Sequence, residues 1–213
     1  MSQVKICGLS TPETVEAALQ GGAAYLGFVF FDRSPRKVAP ELAAQLIAPL
    51  RASPAKAVAL LVDPDDATVD EIVRVMRPHF IQLHGKETPA RVAAVAARSG
   101  TPVIKALPVS DAADIDAARA YDGAAEHLMF DAKPPKDADR PGGLGEPFDW
   151  TLLSGRRFSR PHFLAGGLDP WNVAEALSLS GAPIADVSSG VERGPGLKDA
   201  TLITAFLQAV RRA

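Results

Sequence analysis

Apolar residues along this chain gather into short runs at 4–6, 25–30, 57–62, 80–83, 103–106, 128–130, 163–165 and 184–187. Many of these residues are β-branched, and polar interruptions are few. Such near-continuous apolar runs predict eight strands buried on both faces, as in a parallel sheet. Between them the pattern changes period. Val69, Ile72, Val73 and Met76 recur at helical spacing, as do Leu202, Ile203, Phe206 and Val210, and Val15, Ala18 and Leu19 make a shorter version. Thr11-Pro12, Thr88-Pro89 and Asp169-Pro170 each place a capping oxygen before a proline at the first helical position. Gly21-Gly22, Gly100 and Gly181 supply stops, because glycine takes the left-handed conformation that ends a helix.

Eight strand–helix units in about 200 residues predict a single (β/α)8 barrel spanning 1–213, ahead of a doubly wound open sheet. No shift in composition marks a domain boundary. The one long irregular stretch, 132–147, follows the sixth strand and carries three glycines. It reads as a lid over a site, with a plain surface loop as the alternative.

In a barrel of this kind chemistry sits at the C-terminal ends of the strands. Those ends carry Cys7-Gly8, Asp32 to Arg36, Asp63, His84-Gly85, Asp131, Gly166-Gly167 and Ser188-Ser189-Gly190. The glycine clusters after strands 7 and 8 let backbone N–H groups approach an anion without a side chain between. Side by side, with a short helix N-terminus, they predict a phosphate site and a small phosphorylated substrate. Single residues say less. Cys7 reads as a small buried hydrophobe before it reads as a functional thiol. Asp131 either orders the next turn or does chemistry, and His84 is a turn residue or a site residue. Asp186 lies under the phosphate loop or serves as a structural turn carboxylate. Arg36, fixed by Ser34-Pro35 on the loop after strand 2, suits a carboxylate, since its planar fork donates two parallel hydrogen bonds.

Composition removes whole classes. The net charge is -2, from 23 basic and 25 acidic residues, which leaves no electrostatic footprint for a nucleic-acid partner. No apolar stretch is long enough to span a membrane. One cysteine excludes an intrachain disulfide, and residues 1–5 lack signal-peptide features, so a reducing, cytoplasmic setting is expected. The four histidines show no metal-ligand spacing, and no GxGxxG or Walker loop is present, so neither a metal nor a nucleotide cofactor is expected.

Taken in order, the motifs carry a resemblance. Lys5-Ile6-Cys7-Gly8-Leu9, Ser34-Pro35-Arg36, Gln82-Leu83-His84-Gly85 and Phe148-Asp149-Trp150 are similar to phosphoribosylanthranilate isomerase. So are Leu164 to Leu168 with Pro170 and Asn172-Val173, the stretch from Asp186 to Glu192, and that from Pro195 to Asp199. The ordered set runs from residue 5 to residue 199. The resemblance implies a cofactor-free Amadori rearrangement in tryptophan biosynthesis. The substrate would be N-(5-phosphoribosyl)anthranilate and the product 1-(2-carboxyphenylamino)-1-deoxyribulose 5-phosphate. It carries the catalytic cysteine onto Cys7 and the catalytic aspartate onto Asp131. Arg36 would then hold the anthranilate carboxylate, and the backbone around Gly166, Gly167, Ser189 and Gly190 the phosphate. His84 and Asp186 are secondary candidates. The chain is expected to act as a monomer, with a dimer as the alternative. One departure lies before Phe148: residues 142–147 read GGLGEP, where the family usually has a hydroxyl and then a basic residue.

Two other readings compete. Indole-glycerol-phosphate synthase, a lyase, would need a lysine acid at a strand end and an N-terminal extension. A non-catalytic phosphate-binding barrel would have no reason to hold Cys7, Arg36 and Asp131 together.

Overall fold

The computed structural model describes residues 2–134, 142, 145 and 147–213. Eight parallel strands close on themselves in sequence order. They are β1 (Gln3–Cys7), β2 (Tyr25–Val29), β3 (Lys56–Leu61), β4 (Phe80–Leu83), β5 (Val103–Val109), β6 (His127–Ala132), β7 (His162–Leu164) and β8 (Ile184–Val187). Closure is made by β1 against β8, with Lys5 opposite Asp186. Every apolar run in the sequence became a strand.

The reason is visible in the packing. Each strand separates two cores. Its outward residues, such as Ile6, Leu26, Phe28, Leu61 and Phe130, pack against the surrounding helices. Its inward residues, among them Tyr25, Val58, Ile104, Met129, Phe163 and Ile184, fill the barrel itself. With both faces dry, alternation disappears from the sequence.

The helices are α1 (Pro12–Gln20), α2 (Pro40–Leu46), α3 (Asp66–Met76), α4 (Pro89–Ser99), α5 (Ala112–Ala117), α6 (Val173–Ser180) and α7 (Ala200–Arg212). Thr11 and Thr88 cap α1 and α4 by accepting from Thr14 N and Arg91 N, as their positions predicted. Gly100 and Gly181 end α4 and α6 in the left-handed region, at φ 64° and 67°.

Two expectations need correction. The eighth helix is missing: between β6 and β7 the described residues form only a one-turn 3-10 helix, Trp150–Leu153, capped by Asp149. And α6 starts at Val173, not at Pro170. Asp169 instead accepts from Trp171 N and Asn172 N, so its carboxylate closes the turn that leads into the helix. Most of the supposed lid, including Leu144 and Glu146, lies outside the described residues.

After β8 the chain makes a single 3-10 turn, Ser189–Val191, then a small antiparallel hairpin of β9 (Glu192–Gly194) and β10 (Leu197–Lys198). At its tip, Gly196 has φ 80° and sits against the Pro35 carbonyl, where a β-carbon would clash. The hairpin is thereby tied to the loop after β2, which brings Glu192 to Arg36.

Candidate active site

The C-terminal mouth of the barrel holds a cavity of about 850 Å³, counted to its open rim. Its wall includes Cys7, Arg36, His84, Asp131, Gly166, Gly167, Asp186 and Ser189. With Leu60 of β3 and Val62 just after it, seven of the strand ends or the loops after them contribute to one space, although the residues lie up to 182 positions apart in sequence (189 minus 7). Gly190 is the exception. It is not among the residues of the wall, and a β-carbon on it would clash with the backbone of Leu168.

The side toward β1 and β8 is charged. Lys5 is fully buried, and its Nζ donates to Asp186 Oδ1 at 2.8 Å. Cys7 follows two residues later on the same inward face. Gly27 on β2 makes room for both: a β-carbon there would lie 3.0 Å from Cys7 Sγ and 3.0 Å from Lys5 Nζ. Burial pushes the Cys7 thiol up, Lys5 and Lys198 pull it back, and Asp186 pushes it further up, with a net rise. For Lys5 the attraction of Asp186 and Cys7 outweighs burial, so it stays firmly protonated.

Arg36 is buried and held by Glu192 through two bonds, Nε to Oε1 at 2.7 Å and an Nη to Oε2 at 2.8 Å. Lys198 also pairs with Glu192 and donates to the Ser188 carbonyl at 2.8 Å. Burial works against ionisation of Glu192, but Arg36 and Lys198 together bring its carboxyl below the usual range. The bidentate partner foreseen for Arg36 was a substrate carboxylate. In the structure that parallel pair goes to Glu192, and a substrate carboxylate must meet the guanidinium elsewhere or displace Glu192.

The side toward β4 and β6 is built from a chain of hydrogen bonds through Asp131, His84 and Gln82. Asp131 is buried. Its Oδ1 accepts from Ala132 N at 2.9 Å and its Oδ2 meets His84 Nε2 at 3.0 Å. His84 Nδ1 lies 3.2 Å from Gln82 Nε2. The loop that carries His84 is fixed from below by a buried ion pair, Lys105 Nζ to Glu87 Oε2 at 2.7 Å. Glu87 in turn accepts from Gly85 N and from Asp63 N.

Gly166 and Gly167 have φ 84° and 65°, a region closed to most side chains, so the βα7 backbone can face the mouth bare. A β-carbon on Gly166 would meet Ala132 N at 2.6 Å. Among the described residues no cluster of His, Cys, Asp and Glu has the arrangement of a metal site.

Sequence reasoning assigned no role to Gln82 on the cavity wall, to Glu192 and Lys198, which are paired beside Arg36, or to Lys5. A signal existed for Lys5 and Gln82. Each interrupts an apolar strand at a position of the inward register, where a polar side chain needs a reason.

The family described as N-(5'phosphoribosyl)anthranilate (PRA) isomerase matches residues 4–209. A Caulobacter vibrioides protein called N-(5'-phosphoribosyl)anthranilate isomerase is 66% identical over 209 residues, covering 98% of this chain and 95% of its own. One of the same description from Paramagnetospirillum magneticum is 52% identical over 209 residues, with 98% and 97% covered. The structure of phosphoribosyl anthranilate isomerase from Thermotoga maritima superposes with a TM-score of 0.89 at 33% identity, covering 100% of both chains. Another, of the isomerase in complex with reduced 1-(o-carboxyphenylamino)-1-deoxyribulose 5-phosphate, gives 0.84 at 29% identity, again over 100% of both.

Proposed function

The chain belongs to the N-(5'-phosphoribosyl)anthranilate isomerase family, and from that membership we propose how its cavity divides the work of the reaction. The enzyme isomerises N-(5'-phosphoribosyl)anthranilate in tryptophan biosynthesis. The observation that carries the residue assignments is the convergence of Cys7, Asp131, Arg36 and Gly166 on one cavity wall.

Asp131 delivers a proton to the ring oxygen of the closed furanose. The C1′–O bond breaks, and the anthranilate nitrogen takes up the electron deficiency as a protonated Schiff base. The hydrogen bond from His84 then stabilises the carboxylate that remains. Cys7 as thiolate removes the C2′ proton, and the electron pair of that bond moves to the nitrogen, giving an enolamine. Protonation at C1′ and loss of the hydroxyl proton at C2′ yield the ketone. The order matters because burial favours the thiol form of Cys7. Positive charge beside it favours the thiolate, and the cationic Schiff base adds such charge only after Asp131 has acted.

Arg36, held against Glu192, supplies the positive charge for the anthranilate carboxylate. The bare backbone at Gly166 and Gly167, with Ser189 opposite, receives the phosphate. All these groups come from one chain, which is compatible with an active monomer and leaves a dimer as the alternative; sedimentation of active enzyme distinguishes the two. The single reduced thiol fits work in the cytoplasm. No described helix is long and apolar enough to cross a membrane.

A turnover assay with substrate generated in situ tests the assignment. Wild-type enzyme should form the ketose product, and Cys7→Ser and Asp131→Asn should each abolish most of it. A lyase product, or binding without turnover, would favour the competing readings.

A further inference from the structure

Gln82 is wholly buried in the cavity wall, and its Oε1 has no hydrogen-bond partner among the described residues. An unpaired buried carbonyl is destabilising, and a leucine or methionine would fill the same space without it. Its Nε2 end, in contrast, lies 3.2 Å from His84 Nδ1 and 3.3 Å from Met129 Sδ, a thioether sulfur that can only accept. Turning the amide over would set Oε1 against the sulfur lone pairs and strand the N–H groups. The donor end therefore belongs toward His84.

Direction along the chain follows from this. A primary amide N–H can only donate, so His84 Nδ1 must accept and carries no proton. The one proton of the neutral ring then sits on Nε2, aimed at Asp131 Oδ2 3.0 Å away. We propose that Gln82 is a positioning residue for the reaction: its amide selects the Nε2–H tautomer of His84, which in turn orients Asp131 and stabilises it once its proton has left. The proposal rests on the assignment of Asp131 as the acid. It does not require Gln82 to touch the substrate, and it explains why an amide with one unsatisfied end stands where an apolar residue would pack.

The test uses three measurements. The 15N resonances of His84 in the unliganded wild-type enzyme should show Nδ1 unprotonated and Nε2 protonated; an Nδ1–H tautomer overturns the proposal without any variant. Gln82→Glu replaces the donor by an acceptor and should move the proton to Nδ1. A wrong imidazole tautomer in a hydrolase triad lowers turnover by roughly 10⁴-fold, which bounds the loss here from above. We expect kcat to fall at least about tenfold in Gln82→Glu, and about 3- to 10-fold in Gln82→Met, where the tautomer is merely released. Affinity for the reduced, ring-opened product analogue should stay within about threefold in both. Unchanged kcat in both variants, or kcat and affinity falling together, would mean that Gln82 only shapes the wall. Asp131→Asn is run beside them. If that variant turns over normally, the acid assignment has failed. If it is inactive while Gln82→Glu is not, only the role of Gln82 has failed.

Discussion

The two ends of this barrel solve the problem of buried polar groups in opposite ways. At the mouth, buried charges are plentiful and are met by partners: Lys5 with Asp186, Arg36 and Lys198 with Glu192, Lys105 with Glu87. At the opposite end the filling is aromatic. Tyr25, Phe80, His127 and Phe163 pack ring against ring across the interior, edge-on except for the tilted Phe80–His127 pair, with Tyr25 and Phe163 centroids 5.1 Å apart. His162 lies between Phe130 and Phe158, and its Nε2 has no hydrogen-bond partner among the described residues. Paired buried charges add little net stability, because desolvation offsets attraction. Aromatic burial is a direct stabiliser. The mouth is therefore organised for a prearranged electrostatic field, and the floor for holding the strands together.

Substitutions should separate along the same line. The largest effect belongs to the mouth. Cys7→Ser should lower kcat by roughly 10²–10⁴-fold, with KM and thermal midpoint little changed, since serine is a far poorer base. Near-normal turnover would return Cys7 to the packing role its burial also permits. Next comes the floor. Phe163→Ala should cost about 3–5 kcal/mol of stability by opening a cavity under the aromatic layer. Turnover per folded molecule should hold, and a matching loss of kcat would break the division between the ends.

Arg36→Met is the mouth residue expected to blur that division. It should weaken substrate binding by roughly 2–4 kcal/mol if the carboxylate stays desolvated. It also leaves Glu192 with Lys198 alone, so the thermal midpoint should fall as well. An unchanged KM would place the substrate carboxylate elsewhere.

The smallest effect is a pH effect at the floor. Burial holds His162 down to about 4 in the folded state, against 6.5 for an ordinary histidine. The folded protein thus binds fewer protons than the unfolded chain between these values. Stability from this group is complete above pH 6.5 and is lost as pH falls toward 4, by about 2–3 kcal/mol at most. His162→Phe should flatten the acid limb of a stability profile measured from pH 7 to 4.5, and an unaltered limb would assign the acid sensitivity to other groups.

The floor and the outer shell were the parts most legible in the sequence. Strands buried on both faces write continuous apolar runs, and the left-handed glycines after α4 and α6 mark real helix ends. Local signals failed where two structures share one signature. Asp169-Pro170 fits a helix start and a turn equally well, and only the packing of the following residues decides. Gly190 was legible as a glycine, but not its close approach to the Leu168 carbonyl, which comes from the folding of the loop after β7. The mouth was half legible. Strand position pointed to Cys7, His84 and Asp131, which share the cavity wall with the secondary candidate Asp186. The partner of Arg36 lies 156 residues away, and no local pattern announces an ion pair made by a hairpin folding back. Lys5 and Gln82 were detectable as polar breaks in apolar strands, and their roles became clear only from what surrounds their polar atoms.

The division of labour between Asp131 and Cys7 is tested most directly by one preparation of Asp131→Asn. Its affinity for the reduced, ring-opened product analogue, its thermal midpoint and its kcat on the closed substrate are measured together. Asparagine keeps the shape and still accepts from His84, but it has no proton to transfer. The account predicts analogue affinity within about threefold of wild type, an unchanged midpoint, and kcat lower by a factor on the order of 10² or more. Full kcat with a lowered midpoint would contradict it, since Asp131 would then be ordering the loop after β6 and the ring would be opening without it.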